Sequence, residues 1–454
     1  MMESTLVYAA ESMQGTLHGE DVAFRGVSSD SRTLRSGELF FALQGPNFDG
    51  SEFVSMAQER QAAGAVVQKM VTTELPIIVV DDTLKALGKL AADWRKQMPA
   101  RVIGITGSNG KTTLKELVAS CLSLSANTLA TLGNLNNEIG MPLMLLRLAP
   151  EHRYAVIEMG ANHAGEIAHL TSLAMPEVVA ITNAAPAHLE GFGSLEGVVK
   201  AKAEILQDAA RPQFAILNAD DESYPFWLAK VSDATVLSFG FAPAADIRAS
   251  DVVATKAGST FALHMPDGDL QIDLPLQGVH NVMNACAAAA IACALDIDAA
   301  QIKKGLETVQ PVGGRLQPVR SACGATLYDD SYNANPLSVA AATAFLASQS
   351  GDTWLVLGDM AELGSEAAAL HAQSGSLAKK MGVKHLLATG ELSRHAVDAF
   401  GNGGQWLATV DDIVDELQRS LSGDEFVLVK GSRSMGMEHV VNALRASVDV
   451  AGGT

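Results

Sequence analysis

Gly104-Ile-Thr-Gly-Ser-Asn-Gly-Lys-Thr-Thr113 follows a short apolar run, Arg101-Val-Ile-Gly-Ile105, and precedes Leu114-Lys-Glu-Leu-Val-Ala-Ser-Cys-Leu122. The run reads as a buried strand, and the apolar spacing of the second stretch reads as a helix. Strand, glycine-rich turn, Lys-Thr and helix together make a phosphate cradle. Glycines let backbone N–H groups crowd around oxyanions, and the helix N-terminus adds the positive end of its dipole. Gly107, Ser108, Asn109, Gly110, Lys111, Thr112 and Thr113 are therefore candidate nucleotide-binding residues. Lys111 reaches the β/γ-phosphates, and the Thr112 hydroxyl suits Mg²⁺. The usual P-loop has a glycine five positions before its Gly-Lys pair; Ile105 stands there, so this loop is a variant.

The chain has 454 residues, enough for two or three domains, and 48% apolar against 18% charged residues lets it bury substantial cores. No run of 18 apolar residues suggests a membrane span. The start, Met1-Met-Glu-Ser-Thr-Leu6, lacks the basic region and apolar run of a secretory signal. Cys121, Cys286, Cys293 and Cys323 show neither a Cys-x-x-Cys pair nor metal-ligand spacing, and Cys286 and Cys293 read as buried thiols of an Ala-rich helix. A reduced, cytoplasmic protein is expected. The formal charge of −19, with no long basic stripe, disfavours nucleic acid as a partner.

Three α/β units follow from the pattern, with expected boundaries 1–82, 83–312 and 313–454. In the first, short strands are expected within Asp21–Val27, Glu38–Leu43, Ala65–Gln68 and Pro76–Val80, with the turn signal Gln44-Gly-Pro-Asn47 between them. A helix from about Thr83 to Gln97 leads to the P-loop strand. In the central unit Tyr154-Ala-Val-Ile-Glu158, Val178-Val-Ala-Ile-Thr182 and Phe214-Ala-Ile-Leu-Asn218 are continuous apolar runs, as parallel strands covered on both faces should be. Residues 235–275 alternate instead and predict a small antiparallel insertion before an Ala-rich helix at about 279–295. Pro311-Val-Gly-Gly-Arg315 reads as a hinge into a Rossmann-like third unit, with strands at Thr326–Asp330, Trp354–Gly358, His385–Ala388 and Phe426–Lys430. The final stretch, 450–454, reads as a loose tail.

Polar residues then cluster where the central strands end, the place open α/β sheets bind ligands. Asn134, Asn136 and Asn137 crowd the turn Asn134-Leu-Asn-Asn-Glu-Ile-Gly-Met-Pro142 and either bind something or cap helices. Glu158 ends a buried strand, where a carboxylate is rarely left unpaired; a divalent cation is one partner that explains it, a structural ion pair another. His188 follows the next strand end and shares that rim. Lys202, on the helix after it, reads by position alone as a solvated lysine.

Thr106-Gly-Ser-Asn-Gly-Lys-Thr-Thr113, Gly133-Asn-Leu-Asn-Asn-Glu-Ile-Gly-Met-Pro142, Ile157-Glu-Met-Gly-Ala161, Ala187-His-Leu-Glu190 and Asn218-Ala-Asp-Asp221 resemble the Mur ligases in type and order. So do Gly278-Val-His-Asn-Val-Met-Asn-Ala285, Gly313-Gly-Arg315 and Asp329-Asp-Ser-Tyr-Asn-Ala-Asn-Pro336. The resemblance spans nearly the whole chain, and the odd P-loop spacing is that family's variant. Within the family, Ser331-Tyr-Asn-Ala-Asn-Pro336, Leu357-Gly-Asp-Met-Ala-Glu-Leu-Gly364 and Leu428-Val-Lys-Gly-Ser-Arg-Ser434 look like the member that joins D-Ala-D-Ala to UDP-MurNAc-tripeptide. The preceding ligase, which adds the third residue, typically carries an Asp-Asn-Pro-Arg signature that is not found here. Folylpolyglutamate synthases share the ATPase core but lack the N-terminal pattern Ser28-Ser-Asp-Ser-Arg-Thr33, Gly37-Glu-Leu-Phe40 and Phe48-Asp-Gly50. Those two ligases, and a P-loop nucleotide switch without catalysis, are the alternatives.

The resemblance implies a cytoplasmic enzyme of peptidoglycan precursor synthesis, a monomer, working with ATP and Mg²⁺, two ions being expected, through an acyl phosphate. It implies Thr112, Glu158 and His188 as metal ligands, joined by Lys202 as a carbamylated lysine, which reverses the reading from position. Lys111, Lys202, His188 and Arg315 become the expected catalytic group. Asn281 and Asn284 match adenine-side residues, Arg315 a hinge arginine that reaches the γ-phosphate, and Asp330 an acid that fixes the ribose or the interdomain orientation. Ser29, Asp30, Ser31, Arg32, Phe48 and Asp49 fall in the region that grips the UDP end. Asn134, Asn136, Asn137, Asn333, Asn335, Asp359 and Glu362 are expected to orient the tripeptide terminus and the incoming dipeptide. Lys430 and Arg433 either pair with a substrate carboxylate or serve the surface.

Overall fold

The structure, a computed structural model, describes residues 1–45, 48–207 and 212–446. The expected tail at 450–454 and the second half of the turn at 44–47 lie outside the described residues.

Three mixed sheets follow one another along the chain. The first has five strands, with Leu39–Phe41, Gly64–Val67 and Ile77–Val79 parallel at its centre. The helix Thr83–Gln97 starts where Asp82 accepts from the Leu84 and Lys85 N–H groups, an N-cap that the Asp81-Asp82 pair foreshadows. It is shared between units. Asp93 accepts from Tyr8 Oη and Ser12 Oγ on one side, while Trp94 and Arg95 donate to the carbonyls of Leu148 and Ala174 on the other.

The central sheet has nine strands, and its order places Arg101–Thr106 between Tyr154–Glu158 and Val178–Ile181. From Arg101–Thr106 the chain goes to one side of the sheet and later returns to the other, so the turn after this strand opens at a topological switch point. Apolar clusters cover both sides of this sheet, which is why its strands read as unbroken apolar runs. The small antiparallel insertion expected at 235–275 is antiparallel only in its second half, and it continues the central sheet. Thr235–Gly240 pairs in parallel with Phe214–Asn218, and Ile247–Ala254 pairs in parallel with Thr235–Gly240. Only Ser259–Met265 and Gly268–Leu274 add antiparallel strands, at the sheet's far edge. The alternation in sequence arises there because one face of that edge is solvated.

The third sheet has six strands, with Thr326–Asp330, Phe426–Lys430, Thr353–Leu357 and His385–Ala388 parallel in its middle. Gln317–Arg320 adds an antiparallel edge and Gly404–Trp406 a three-residue parallel one. Among the described residues no helix is long and apolar enough to cross a membrane.

Candidate active site

The loop after Arg101–Thr106 requires glycine at two places. Gly107 has φ 144°, and a Cβ there would sit 1.9 Å from Thr182 Oγ1; Gly110 has φ 82°, and a Cβ there would sit 2.6 Å from Asn284 Oδ1. Gly110 caps the helix Lys111–Ser123, so the amides that open this helix face the loop. The end of the neighbouring strand holds the loop in place. Asn183 accepts from Asn109 N–H through Oδ1 at 3.0 Å and donates to Asn109 O through Nδ2 at 3.2 Å, while Thr182 Oγ1 donates to the same carbonyl at 2.6 Å. Asn183 had no assigned role in the sequence; its place two residues beyond a strand end was the available signal.

The loop borders a cleft of ≈ 910 Å³ formed by the central and C-terminal units. Glu158, 3% exposed, accepts from Thr112 Oγ1 at 2.9 Å and from Asn136 Nδ2 at 2.8 Å. Lys111 Nζ donates to Gly107 O at 2.7 Å, and its pKa is lowered by burial and by Arg315 against the opposing pull of Glu158. From beyond the hinge, Arg315 Nη2 donates to Thr112 Oγ1 at 3.1 Å, with its guanidinium 4.3 Å from the Tyr332 ring centre. Asn335 Nδ2 donates to Asn109 Oδ1 at 2.7 Å, and the Glu362 carboxylate meets the His188 imidazole. Glu362 O also accepts from Glu190 N–H at 3.3 Å. His188 sits in the left-handed region at φ 53°; burial lowers its pKa, opposed by Glu362 and reinforced by Lys111 and Lys202.

Lys202 is 2% exposed on the helix Leu195–Ala203, with Nζ 5.2 Å from the Phe192 ring centre. Its reading as a solvated lysine is wrong: burial first, then the charge of Lys111, brings its pKa down to about 7. Asn281 and Asn284 lie buried on Val279–Ala294 beside the cleft, Asn281 donating to Gln277 O and accepting from Asn284 Nδ2. Asn134 and Asn137 also line the cleft, and Asn137 Oδ1 accepts from Gly140 N–H at 2.8 Å, at the first residue of the following helix.

Several expected residues go elsewhere. Asp359 does not line the cleft: its carboxylate accepts from Ser393 N–H and Ser393 Oγ, each at 2.7 Å, at the start of the helix Ser393–Phe400. A strand-end aspartate and a helix start 34 residues apart cannot be paired by reading a sequence. Asp359→Ala should therefore destabilise the fold by about 2 kcal/mol of lost charge-assisted hydrogen bonding, seen as a lower melting temperature, and leave KM for the amine substrate within twofold. A large rise in KM without loss of thermal stability would return Asp359 to the substrate surface. Lys430 lines the cleft and is held within its own domain, donating to Asp330 Oδ2 at 2.7 Å and Asn333 O at 2.9 Å. Asp330 Oδ1 meanwhile accepts from Leu316 N–H beside the hinge, so this acid ties the hinge to the third sheet. Arg433 lines the cleft and pairs with Glu438 at 3.0 Å.

None of Ser29, Asp30, Ser31, Arg32, Phe48 and Asp49 lines this cleft. Asp30 and Arg32 pair with each other at 2.8 Å, Ser31 is buried, and Asp49 caps the turn Gly50–Phe53. Phe48 is exposed, its ring 6.1 Å from that of Phe53.

Comparison with known proteins places this geometry in context. Residues 105–292 match the family model of the Mur ligase middle domain, 314–433 that of the Mur ligase glutamate ligase domain, and 23–95 that of the Mur ligase family catalytic domain. The chain is 43% identical to the UDP-N-acetylmuramoyl-tripeptide--D-alanyl-D-alanine ligase of Escherichia coli K12, over 98% of this chain and 99% of that protein. It superposes on a crystal structure of MurF from Acinetobacter baumannii with a TM-score of 0.92 at 35% identity, over 97% of this chain and 98% of the other. The MurF ligase of Thermotoga maritima, solved in complex with ADP, gives a TM-score of 0.82 at 25% identity, over 92% of this chain and 96% of the other.

Proposed function

The chain belongs to the Mur ligase family, and from that premise we propose how its cleft works. The protein is an ATP-dependent ligase that joins D-Ala-D-Ala to the terminal carboxylate of UDP-MurNAc-tripeptide, giving the pentapeptide, ADP and phosphate. The observation that carries the mechanism is the contact of Arg315 with Thr112, which brings a cation from the third domain onto the phosphate loop of the second.

A carboxylate is a poor acylating agent, so its oxygen first attacks the γ-phosphorus of ATP, and the dipeptide amine then displaces phosphate from the acyl phosphate. Both steps crowd anions together, and positive charge must stand where negative charge builds. Lys111 and the amides opening Lys111–Ser123 serve the phosphates, and Arg315 faces them from the opposite side. Because Arg315 arrives with the C-terminal domain, the site is complete only when that domain is docked, a condition that keeps water from the acyl phosphate. Asn134 and Asn136 on one wall and Asn333 and Glu362 on the other are placed to orient the two peptide substrates. Ser29, Asp30, Arg32 and Phe48 remain for the UDP end.

The residues present fit Mg²⁺. Glu158 is a buried carboxylate whose side-chain partners are a hydroxyl and an amide, with no ion pair among the described residues. No group of three His, Cys, Asp or Glu side chains gathers among the described residues, which suits a cation shared between one carboxylate, the Thr112 hydroxyl and the nucleotide's own oxygens. When bound, it would neutralise phosphate charge. His188 with a carbamylated Lys202 would hold a second ion. Lys202 has no acidic side chain within ion-pairing distance among the described residues, and its lowered pKa leaves a reactive neutral amine near pH 7. A cytoplasmic monomer is part of the same reading, since one chain supplies every group named.

The purified protein with UDP-MurNAc-tripeptide, D-Ala-D-Ala, Mg²⁺ and ATP should yield the pentapeptide by mass spectrometry. Phosphate release should depend on the dipeptide and not on glutamate or single amino acids. Absence of the pentapeptide would refute the activity.

A further inference from the structure

Two asparagines 226 residues apart meet at the tip of the phosphate loop, and one constrains the other. Asn335 is the N-cap of the helix Pro336–Ala347: its Oδ1 accepts from Ser338 N–H at 2.9 Å, and its own N–H donates to Ser338 Oγ at 3.0 Å. A backbone N–H can only donate, so the Asn335 amide has a single acceptable orientation, with Nδ2 turned outward. That Nδ2 donates to Asn109 at 2.7 Å. Asn109 must therefore present Oδ1 to it, which turns the Asn109 Nδ2 the other way. There the Nδ2 is buried and has no hydrogen-bond partner among the described residues. The Asn109 backbone is already held by Thr182 and Asn183, so the side-chain amide is the part of this residue still to be set.

A buried amide donor without a partner is unfavourable, and this one belongs to the loop residue immediately before Gly110-Lys111, on the wall of the cleft. We propose that Asn335 is a positioning residue acting through Asn109: the helix cap orients Asn335, Asn335 orients the Asn109 amide, and docking of the C-terminal domain thereby presents the Asn109 Nδ2 to an oxygen of the terminal phosphate of ATP. The second domain contact thus reports whether a γ-phosphate is present, where Arg315 supplies charge. This deepens the ligase reading and rests on it for the identity of the nucleotide.

The cap makes a clean test available. Aspartate caps a helix as well as asparagine does, so Asn335→Asp keeps the acceptor for Ser338 N–H and replaces the donor to Asn109 by a charged oxygen. Either the two oxygens repel or the Asn109 amide turns over; in both cases the amide loses the orientation that Asn335 gives it. Asn109→Asp does the reverse: it keeps an acceptor for Asn335 and replaces the outward donor by an oxygen. Calorimetric titration of the full-length protein with Mg²⁺ and a β,γ-methylene ATP analogue, and separately with Mg²⁺-ADP, reads the effect. Both variants should retain the wild-type melting temperature, bind the analogue at least tenfold more weakly, and bind ADP within twofold of wild type. An unchanged Kd for the analogue in Asn335→Asp would overturn the proposal, and so would an equal loss for analogue and ADP, which signals a general disturbance of the loop. If the wild-type protein shows the nucleotide discrimination but makes no pentapeptide, the ligase reading fails while the positioning role stands.

Discussion

Arg315→Ala should lower kcat by about three orders of magnitude, the effect expected of an arginine that meets a transferring phosphoryl group, while the affinity for ADP stays near that of wild type. The separation follows from where the residue comes from. In the proposed mechanism ADP is held by the loop and by the helix Lys111–Ser123, which belong to the central domain. Arg315 enters from the hinge, between Gly314 at φ 72° and Leu316 at φ 53°, and lies against the Tyr332 ring before reaching Thr112 Oγ1. In the proposed mechanism its charge meets the γ-phosphate and contributes most as negative charge spreads in the transition state. Arg315→Lys should restore little, because an ammonium neither stacks on the tyrosine nor presents a planar fork. Steady-state kinetics together with ADP titration check this; a kcat within tenfold of wild type would remove Arg315 from the catalytic group.

The second large effect is expected at Lys202. Lys202→Ala should lose activity by about a hundredfold or more, comparable to loss of one preorganised charged group in an active site, and formate or acetate should restore part of it. The physical basis is the burial: an amine 2% exposed, with Lys111 repelling its charged form, is costly as an ammonium. As a carbamate it becomes an anion beside the cationic Lys111, and the sign of the interaction reverses. A small carboxylate entering the space left by alanine supplies the same charge. Alanine also leaves a cavity where the buried side chain packed against Phe192, so thermal stability is measured alongside activity. A folded variant with full activity, or one that no carboxylate rescues, would rule the carbamate out.

Much of the fold was legible because its decisive features are local. The central strands are covered on both faces, so Tyr154–Glu158 and Val178–Ile181 read as unbroken apolar runs. The helix Thr83–Gln97 was bounded by its Asp82 cap and by Pro99. Gly107 and Gly110 announced a loop whose backbone conformation only glycine takes easily. What escaped was short or solvated on one face: Thr128–Ala130 and Gly404–Trp406 carry three residues each, too few for a period. The alternating edge at 259–274 was read as antiparallel from its period, but the two strands at 235–254 that join it to the sheet in parallel were not told apart from it.

By itself the sequence determined the phosphate loop, the strand ends around it and the family, since each depends on residues within a few positions of one another. Pairing across long separations was decided only by the tertiary structure. Lys430 and Asp330 are 100 residues apart, Asp359 and Ser393 are 34 apart, and Asn109 and Asn335 meet across two domains. Asp, Asn and Lys side chains each admit many partners, and which one they find depends on how packed sheets and helices bring distant backbone together. For the same reason Lys202, an ordinary helix lysine in the sequence, became a buried amine beside the phosphate loop only once the domain had folded around it.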